Sequence, residues 1–429
     1  MAKVYERVYG YFKEQIEAKR LKPKDRVMSL RETGKMLGVS RTSVETAFLQ
    51  LAADGYIYPV EKVGYFVSDT PNAFGKNAVS SQDKQESLKQ NYRYDLQTIG
   101  EDKEVSCLEL WRRYMKSALR QEERLLSYPD AQGEEDLRTE IADHIRKTRN
   151  IICTADDIVI GAGYQNLLQI LIAVIKGEKE ISFPTANFSD GAKTFQNAGY
   201  KVSFRDKDSH VIYVTPAYMT KYGEVMTMKR RRELVDHVQR NDHLLIEDDY
   251  QNDFVFSSKP TPSLYAMSGG ENTVFLGSFS RVLLPSIRIS FLVLKKGMRD
   301  EYEKIKMLYN QTSSVTEQIA LAQFLRDGHL NRHIKKTHRY YEGKRELFIS
   351  MLKEVFRNNA EVLVGESGME IALRPRKDIN IEKLKKCPVR LSVIKDRTGR
   401  DMLLLSCSKI DTDEIRPALA LLAAAINLK

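Results

Sequence analysis

Between residues 29 and 67 the apolar positions form two helical stripes followed by two short extended runs. Leu30, Thr33 and Leu37 share one face of a short helix, and Gly38 breaks it. Ser40 suits the N-cap of a second helix, whose stripe is Val44, Ala47, Phe48 and Leu51. Tyr56, Ile57 and Val60, then Tyr65, Phe66 and Val67, flank the turn Glu61-Lys62-Val63-Gly64, which predicts a hairpin. Capped second helix, glycine turn and basic wing tip together read as a helix-turn-helix with a two-stranded wing. The first turn of the second helix exposes Arg41, Thr42 and Ser43, where a recognition helix meets base edges and phosphates.

The pattern then changes twice. Residues 69–93 are polar and poor in large aliphatics, and read as a linker between a head at 1–68 and a body at 94–429. A flexible linker of this length spans on the order of 25–30 Å. In the body, helical segments at 108–121 (around Trp111), 134–149 and 164–175 alternate with apolar strand candidates. Those strands are 158–160, 180–183, 211–214, 244–246, 274–276 and 289–293. Alternating strands and helices predict an α/β body with a mostly parallel sheet. A small α+β tail is expected from about Arg345, with a strand near 403–407 and a last helix from Asp413 carrying Ile415, Leu419, Leu422 and Ile426 on one face.

Composition narrows the class without deciding it. The 429 residues carry 42% hydrophobic and 29% charged side chains, as a globular protein does. Net charge is +10, and residues 1–76 hold 13 Lys/Arg against 9 Asp/Glu, which suits a DNA-binding head. Cys107, Cys153, Cys387 and Cys407 have no metal-ligand spacing, so no metal is expected and a reducing cytoplasmic setting is. No signal-peptide pattern or membrane-spanning run is found, so no membrane partner is expected.

Three body segments carry candidate chemistry. GAGYQNLL at 161–168 is a glycine turn opening a helix, which presents backbone N–H groups to a phosphate. IEDDYQNDF at 246–254 puts acidic residues just after an apolar strand, at the sheet edge where ligands bind in such folds. TVFLGSFSRVLLPSIRISFLVL at 273–294 sets two serines, two arginines and a glycine between two strands, a set able to hold a phosphate.

The head resembles the winged helix of the GntR regulators, through VYERVYGYFKEQIEAKRLKPKDRVMSLRETGKMLGVSRTSVETAFLQLAADGYI and VGYFV. That resemblance implies DNA contacts by Arg31, Ser40, Arg41, Thr42, Ser43, Lys62 and Gly64. Glu45 stands where many relatives carry a basic residue. The body resembles the fold-type I pyridoxal-phosphate aminotransferases, so the whole chain resembles MocR/GabR-type regulators. The three segments carry this resemblance, with YPDAQGEEDLRTEIADHIRKTRN at 128–150 and TPAYMTKYGEVMTMKRRRELV at 215–235. It implies that Asp248 pairs with the pyridine nitrogen of the cofactor and that Tyr250 faces its phenolic oxygen. Ser278, Ser280, Arg288 and the Gly163-Tyr164 backbone would hold its phosphate.

One departure is decisive. Where that family has the Schiff-base lysine, this chain reads Ser278-Phe279-Ser280-Arg281. A guanidinium stays protonated and delocalised, so it can neither form the internal aldimine nor shuttle the α-proton. The nearest downstream lysines, Lys295 and Lys296, follow the next strand. Ala186 replaces a usual tyrosine, and Tyr218-Met219-Thr220-Lys221-Tyr222 replaces a histidine-containing run. The strand at 401–408 has no arginine for a substrate carboxylate, leaving Arg390, Arg397 or Arg400 as candidates. Several changes together point to a diverged site rather than one replaced residue. The expectation is a cytoplasmic regulator with no catalytic residue and no covalent cofactor. It binds an operator through its head and a small anionic or phosphorylated effector in its body. Non-covalent pyridoxal phosphate is admitted as a ligand, and the resemblance implies a head-to-tail homodimer. The alternatives are a body used only for dimerisation, or a working aminotransferase.

Overall fold

A computed structural model describes residues 4–60, 63–68, 92–185, 188–256, 261–377, 379, 381–396 and 398–426. They form two compact units, divided between Asn91 and Tyr92. Most of the expected linker, residues 69–91, lies outside the described residues. Arg93 already belongs to the body, since its amide donates to the Pro388 carbonyl at 2.7 Å.

In the head, α1 (Val4–Glu17), α2 (Leu30–Leu37) and α3 (Arg41–Ala53) pack beside a hairpin of β1 (Ile57–Val60) and β2 (Gly64–Val67). α1 buries Val8, Phe12 and Ile16 at helical spacing. Phe12 meets Phe48 of α3 edge-to-face at 5.1 Å, and Phe48 meets Tyr65 of β2 at 5.2 Å. Ser29 and Glu32 form a reciprocal capping box that starts α2. Gly38 ends α2 in the left-handed conformation that an L side chain disfavours.

The body is built on a seven-stranded sheet. Its strands are β3 (Ile158–Gly161), β4 (Glu180–Phe183), β5 (Lys201–Phe204), β6 (Val211–Val214), β7 (Leu244–Asp248), β8 (Thr273–Ser278) and β9 (Ser290–Val293). The order is β3-β9-β8-β7-β6-β4-β5. β9 runs antiparallel to both neighbours, and the other pairings are parallel. β3, β6 and β9 are buried throughout because helices cover both faces, which is why their sequences are continuous apolar runs. Among those helices are α4 (Leu108–Ala118), α5 (Glu135–Arg149), α6 (Tyr164–Val174), α7 (Ser189–Asn197), α8 (Met228–Arg240) and α9 (Val315–Arg326). The sequence reading missed β5, an edge strand whose side chains are only partly buried and so lack an apolar run.

A 28-residue helix, α10 (His329–Phe356), leads to a second sheet. The start expected near Arg345 falls inside this helix, where Arg345 is buried, and the first strand after it begins at Ala360. The four strands β10 (Ala360–Leu363), β11 (Glu370–Pro375), β12 (Ser392–Lys395) and β13 (Asp401–Ser406) lie in the order β10-β11-β13-β12. The last helix, α11 (Ile415–Ala425), buries Ile415, Leu419 and Leu422 against α10. Two backbones meet where this part touches the loop after β6. Gly365 N donates to Tyr222 O and Ser367 N to Gly223 O, each at 3.0 Å. A Cβ on Gly223 would stand 1.7 Å from the Ser367 carbonyl oxygen, so no side chain fits there.

Candidate functional site

The head offers its expected DNA-facing residues on locally fixed elements. Arg31 in the first turn of α2, and Arg41 and Thr42 in the first turn of α3, are exposed. Ser40 is an N-cap: its hydroxyl accepts from Ser43 N at 3.3 Å and lies 2.9 Å from Ser43 Oγ. The two hydroxyls therefore serve the helix start as well as facing out beside Arg41. Gly64 has φ 133° beside the turn at the tip of the wing, and Lys62 lies outside the described residues. Arg26 was not singled out in the sequence. It reaches the wing through 37 positions of chain, donating from Nη2 to Val63 O at 2.7 Å.

In the body, chemistry collects at one edge of the sheet. β3, β7 and β8 end there, and antiparallel β9 begins there, with Ser290 opposite both Gly161 and Ser278. A cavity of about 530 Å³ opens at this edge. Tyr164, Asp248, Tyr250, Ser278, Ser280, Arg281 and Arg288 line it. Gly163 stands against Arg288: a Cβ there would come within 2.6 Å of Nη2. The eight body residues proposed from sequence thus come together around one space.

One side of the cavity is a cup of hydrogen-bond donors. Gly163 has φ 90° and brings no capping side chain to α6, so the first amides of that helix, at the positive end of its dipole, are left without a side-chain cap. Arg288 Nη1 donates to Ser280 Oγ at 3.3 Å, and Ser290 Oγ donates to Ser278 Oγ at 2.9 Å. Thr312 joins this side, accepting from Ala162 N at 2.9 Å.

The acidic segment is held from behind. Arg149 Nε reaches Asp249 Oδ2 at 2.7 Å and Nη2 reaches Asp253 Oδ1 at 2.8 Å, a nearly buried double ion pair. Burial pushes the Asp249 carboxyl up to about 6 although Arg149 opposes it. At Asp253 burial also pushes upward, but Arg149 outweighs it and the net shift is down. Asp248 accepts a hydrogen bond from Tyr213 Oη. Burial raises its carboxyl to about 6 against that hydrogen bond. Glu247 points to the other face and accepts from Leu264 N and Tyr265 N, each at 2.9 Å.

Arg281 lines the same cavity on the side of Gln251 and Phe254. Its guanidinium lies over the Phe254 ring at 5.3 Å, and Nε donates to Gln251 Oε1 at 3.3 Å. Arg281 Nη2 is buried without a hydrogen-bond partner, and so is Gln251 Nε2. Glu370 of β11, Tyr218 and Tyr250 line the cavity too. Burial raises the Glu370 carboxyl, and the nearby Arg281 charge works against that rise.

Two expectations change here. An amine does line the cavity: Lys221, from the loop after β6, with Nζ 5.8 Å from the Phe188 ring. Sequence distance hid it, because Lys221 is 60 positions from Arg281. Of the arginine candidates near the C-terminal sheet, the two described, Arg390 and Arg400, do not line the cavity. Arg390 is turned to Gln97 at 2.8 Å and to Asp95 at 3.5 Å, Arg400 is exposed, and Arg397 lies outside the described residues. That sheet contributes Glu370, Ser392, Leu404 and Ser406 instead. Among the described residues, no cluster of side chains suits a metal ion.

Comparison with known proteins agrees with this construction. The gntR family of bacterial regulatory proteins matches residues 4–67, and aminotransferase class I and II matches residues 99–214 and 205–386. The chain belongs to the aminotransferase class I and II family and carries a gntR-family head. It is a helix-turn-helix transcriptional regulator of the MocR type. The uncharacterized regulator YhdI of Bacillus subtilis is 30% identical over 86% of this chain and 83% of its own length. The regulator of pyridoxine biosynthesis PdxR of Corynebacterium glutamicum is 24% identical over 95% of this chain and 92% of its own. The probable rhizopine catabolism regulator MocR of Rhizobium meliloti is 24% identical over 86% and 81%. In fold, an archaeal alanine:glyoxylate aminotransferase superposes with a TM-score of 0.71 at 20% identity, over 82% of this chain and 94% of that one.

Proposed function

We propose that the body is a non-catalytic receptor for a small anionic ligand and that the head reports its occupancy at an operator. The observation that carries this reading is Arg281, a permanently charged guanidinium facing the cavity that also holds the phosphate cup. Pyridoxal phosphate fits the cup: Ser278, Ser280, Arg288 and the amide end of α6 suit its phosphate, and Asp248 and Tyr250 suit its ring. When bound through an amine, that group supplies an electron sink for amino-acid chemistry. The residues here do other work. Tyr213 orients Asp248, the Ser280–Arg288 pair shapes the cup, and Arg281 adds a fixed positive charge beside Gln251.

A homodimer is part of the proposal. Leu126, Tyr128, Met307 and Leu308 of the body are each at least 79% exposed, more apolar surface than a lone body hides. Two paired chains would present two recognition helices to one operator. No helix among the described residues is long and apolar enough to cross a membrane.

Thermal unfolding of the full chain with added pyridoxal phosphate, and separately with inorganic phosphate, tests the receptor reading. A ligand at 100 times its dissociation constant stabilises by about 2.7 kcal/mol. Stabilisation lost in Arg288→Met supports the cup. No stabilisation by either compound favours a body that serves dimerisation alone. Turnover of amino acids with pyridoxal phosphate would return the chain to the enzymes.

A further inference from the structure

Beside Phe254 the cavity holds two buried donors that no acceptor of the protein fully satisfies. Arg281 Nη2 and Gln251 Nε2 are both buried and both lack a hydrogen-bond partner. Neither atom can accept, so each is open to an acceptor that enters the cavity. Their orientation is chemically fixed. Arg281 Nε is a donor, so the Gln251 atom 3.3 Å from it must be Oε1, which leaves Nε2 turned the other way, on the side of the Tyr250 hydroxyl. The backbone holds that arrangement: Gln251 is 3% exposed and sits at φ 65°, in a loop clamped on either side by Arg149. Phe254 supports the guanidinium from its face. Glu370 is near enough to feel the Arg281 charge, yet among the described residues no carboxylate lies within ion-pair distance of it. Glu370 is occupied by the Met369 amide at 3.0 Å.

Resting on the reading of this cavity as a ligand site, we propose that Arg281 and Gln251 form a second, carboxylate-binding subsite, so that the ligand is a small phosphate ester that also bears a carboxylate. A carboxylate offers two oxygens, one to each orphan donor, and a charge to match the guanidinium. A neutral aldehyde or alcohol offers one oxygen and no charge. Ser278 and Arg281 are three residues apart and line the same space, so one small molecule reaches both the cup and the subsite.

Three esters of one ring separate these cases: pyridoxal 5′-phosphate, pyridoxine 5′-phosphate and 4-pyridoxic acid 5′-phosphate, which carry an aldehyde, an alcohol and a carboxylate at one carbon. Their dissociation constants are measured by calorimetry on the full chain, with inorganic phosphate as the cup-only probe. The carboxylate ester is expected to bind at least about tenfold more tightly than the other two. Arg281→Met should erase that preference while leaving the residual, phosphate-competed affinity, and Arg288→Met should weaken all three alike. Gln251→Glu, which replaces the orphan donor by an acceptor, should reverse the preference and serves should Arg281→Met not fold. Equal binding of the three esters to the unaltered chain overturns the subsite while leaving the cup. So does tightest binding of the aldehyde with a borohydride-reducible adduct mapped to Lys221. If neither phosphate nor any ester binds, the receptor reading itself falls, and the subsite with it.

Discussion

The head and the body solve the same problem, presenting a few polar side chains to a ligand, in opposite ways. In the head, the exposed arginines sit one or two residues beyond caps that their own neighbours build: Ser29 with Glu32 before Arg31, and Ser40 with Ser43 around Arg41. In the body, Gly163, Asp248, Ser278 and Arg288 come from four strand ends, spread over 126 positions, and only the sheet assembles them. A site made locally survives as long as its own segment keeps its signals. A site made by topology can exchange individual residues while the scaffold stays, and the resemblance implies such an exchange at Arg281.

The sharpest way to break the contrast is to remove the support of the assembled site. Arg149→Met would leave Asp249 and Asp253 buried without their cation, a loss of about 3–5 kcal/mol of body stability in denaturant unfolding. Operator binding by the head would suffer only through whatever pairing the body provides. A mild effect of this change would mean that the acidic loop is held by something other than its ion pairs.

Acid probes the same support by another route. Burial first, with the Arg149 charge, pushes His144 down to about 4, with Asp253 opposing. The unfolded chain takes up this proton below its ordinary value near 6.5 and the folded body does not, so stability falls as pH drops from 6.5 toward 4. The loss approaches about 3 kcal/mol. His144→Gln should flatten that part of the pH profile in thermal unfolding, and an unchanged slope would contradict a neutral buried imidazole.

In the head the expected effects are smaller and separable. Arg41→Ala should weaken operator binding by about 1–3 kcal/mol, read by fluorescence anisotropy, with the melting of both units unchanged. Ser29→Ala removes one half of a capping box and should cost about 1 kcal/mol of head stability alone, seen by circular dichroism of the isolated transition. If it also altered ligand affinity in the cavity, the two units would not be as independent as their separate cores suggest.

What the sequence told in advance follows the same division. Gly38, Ser40 and the stripe from Val44 to Leu51 announce α2, the turn and α3, because caps and periodicity are local. The buried parallel strands were legible as apolar runs, and Gly163, Asp248 and Ser278 as residues just beyond them. The edge strand Lys201–Phe204 was not, having no buried face to write a pattern. Neither were α10, the strand Glu370–Pro375 or the part Lys221 plays. Lys221 and Glu370 reach the cavity from distant loops and another sheet, and no spacing along the chain encodes that. Gln251 lay inside a motif already noticed. Its meaning came only with the left-handed backbone and the orphaned amide.

The contact at Gly223 and Gly365 sets what such drift can reach. Tyr218 and Lys221 face the cavity from a loop whose end is stitched, main chain to main chain, to the segment leading into the strand that carries Glu370. With no side chain between them to yield, a displacement of the loop becomes a displacement of that strand. Whatever settles against Lys221 therefore pulls on both sheets of the body at once, through a joint that substitution cannot soften without prising it open.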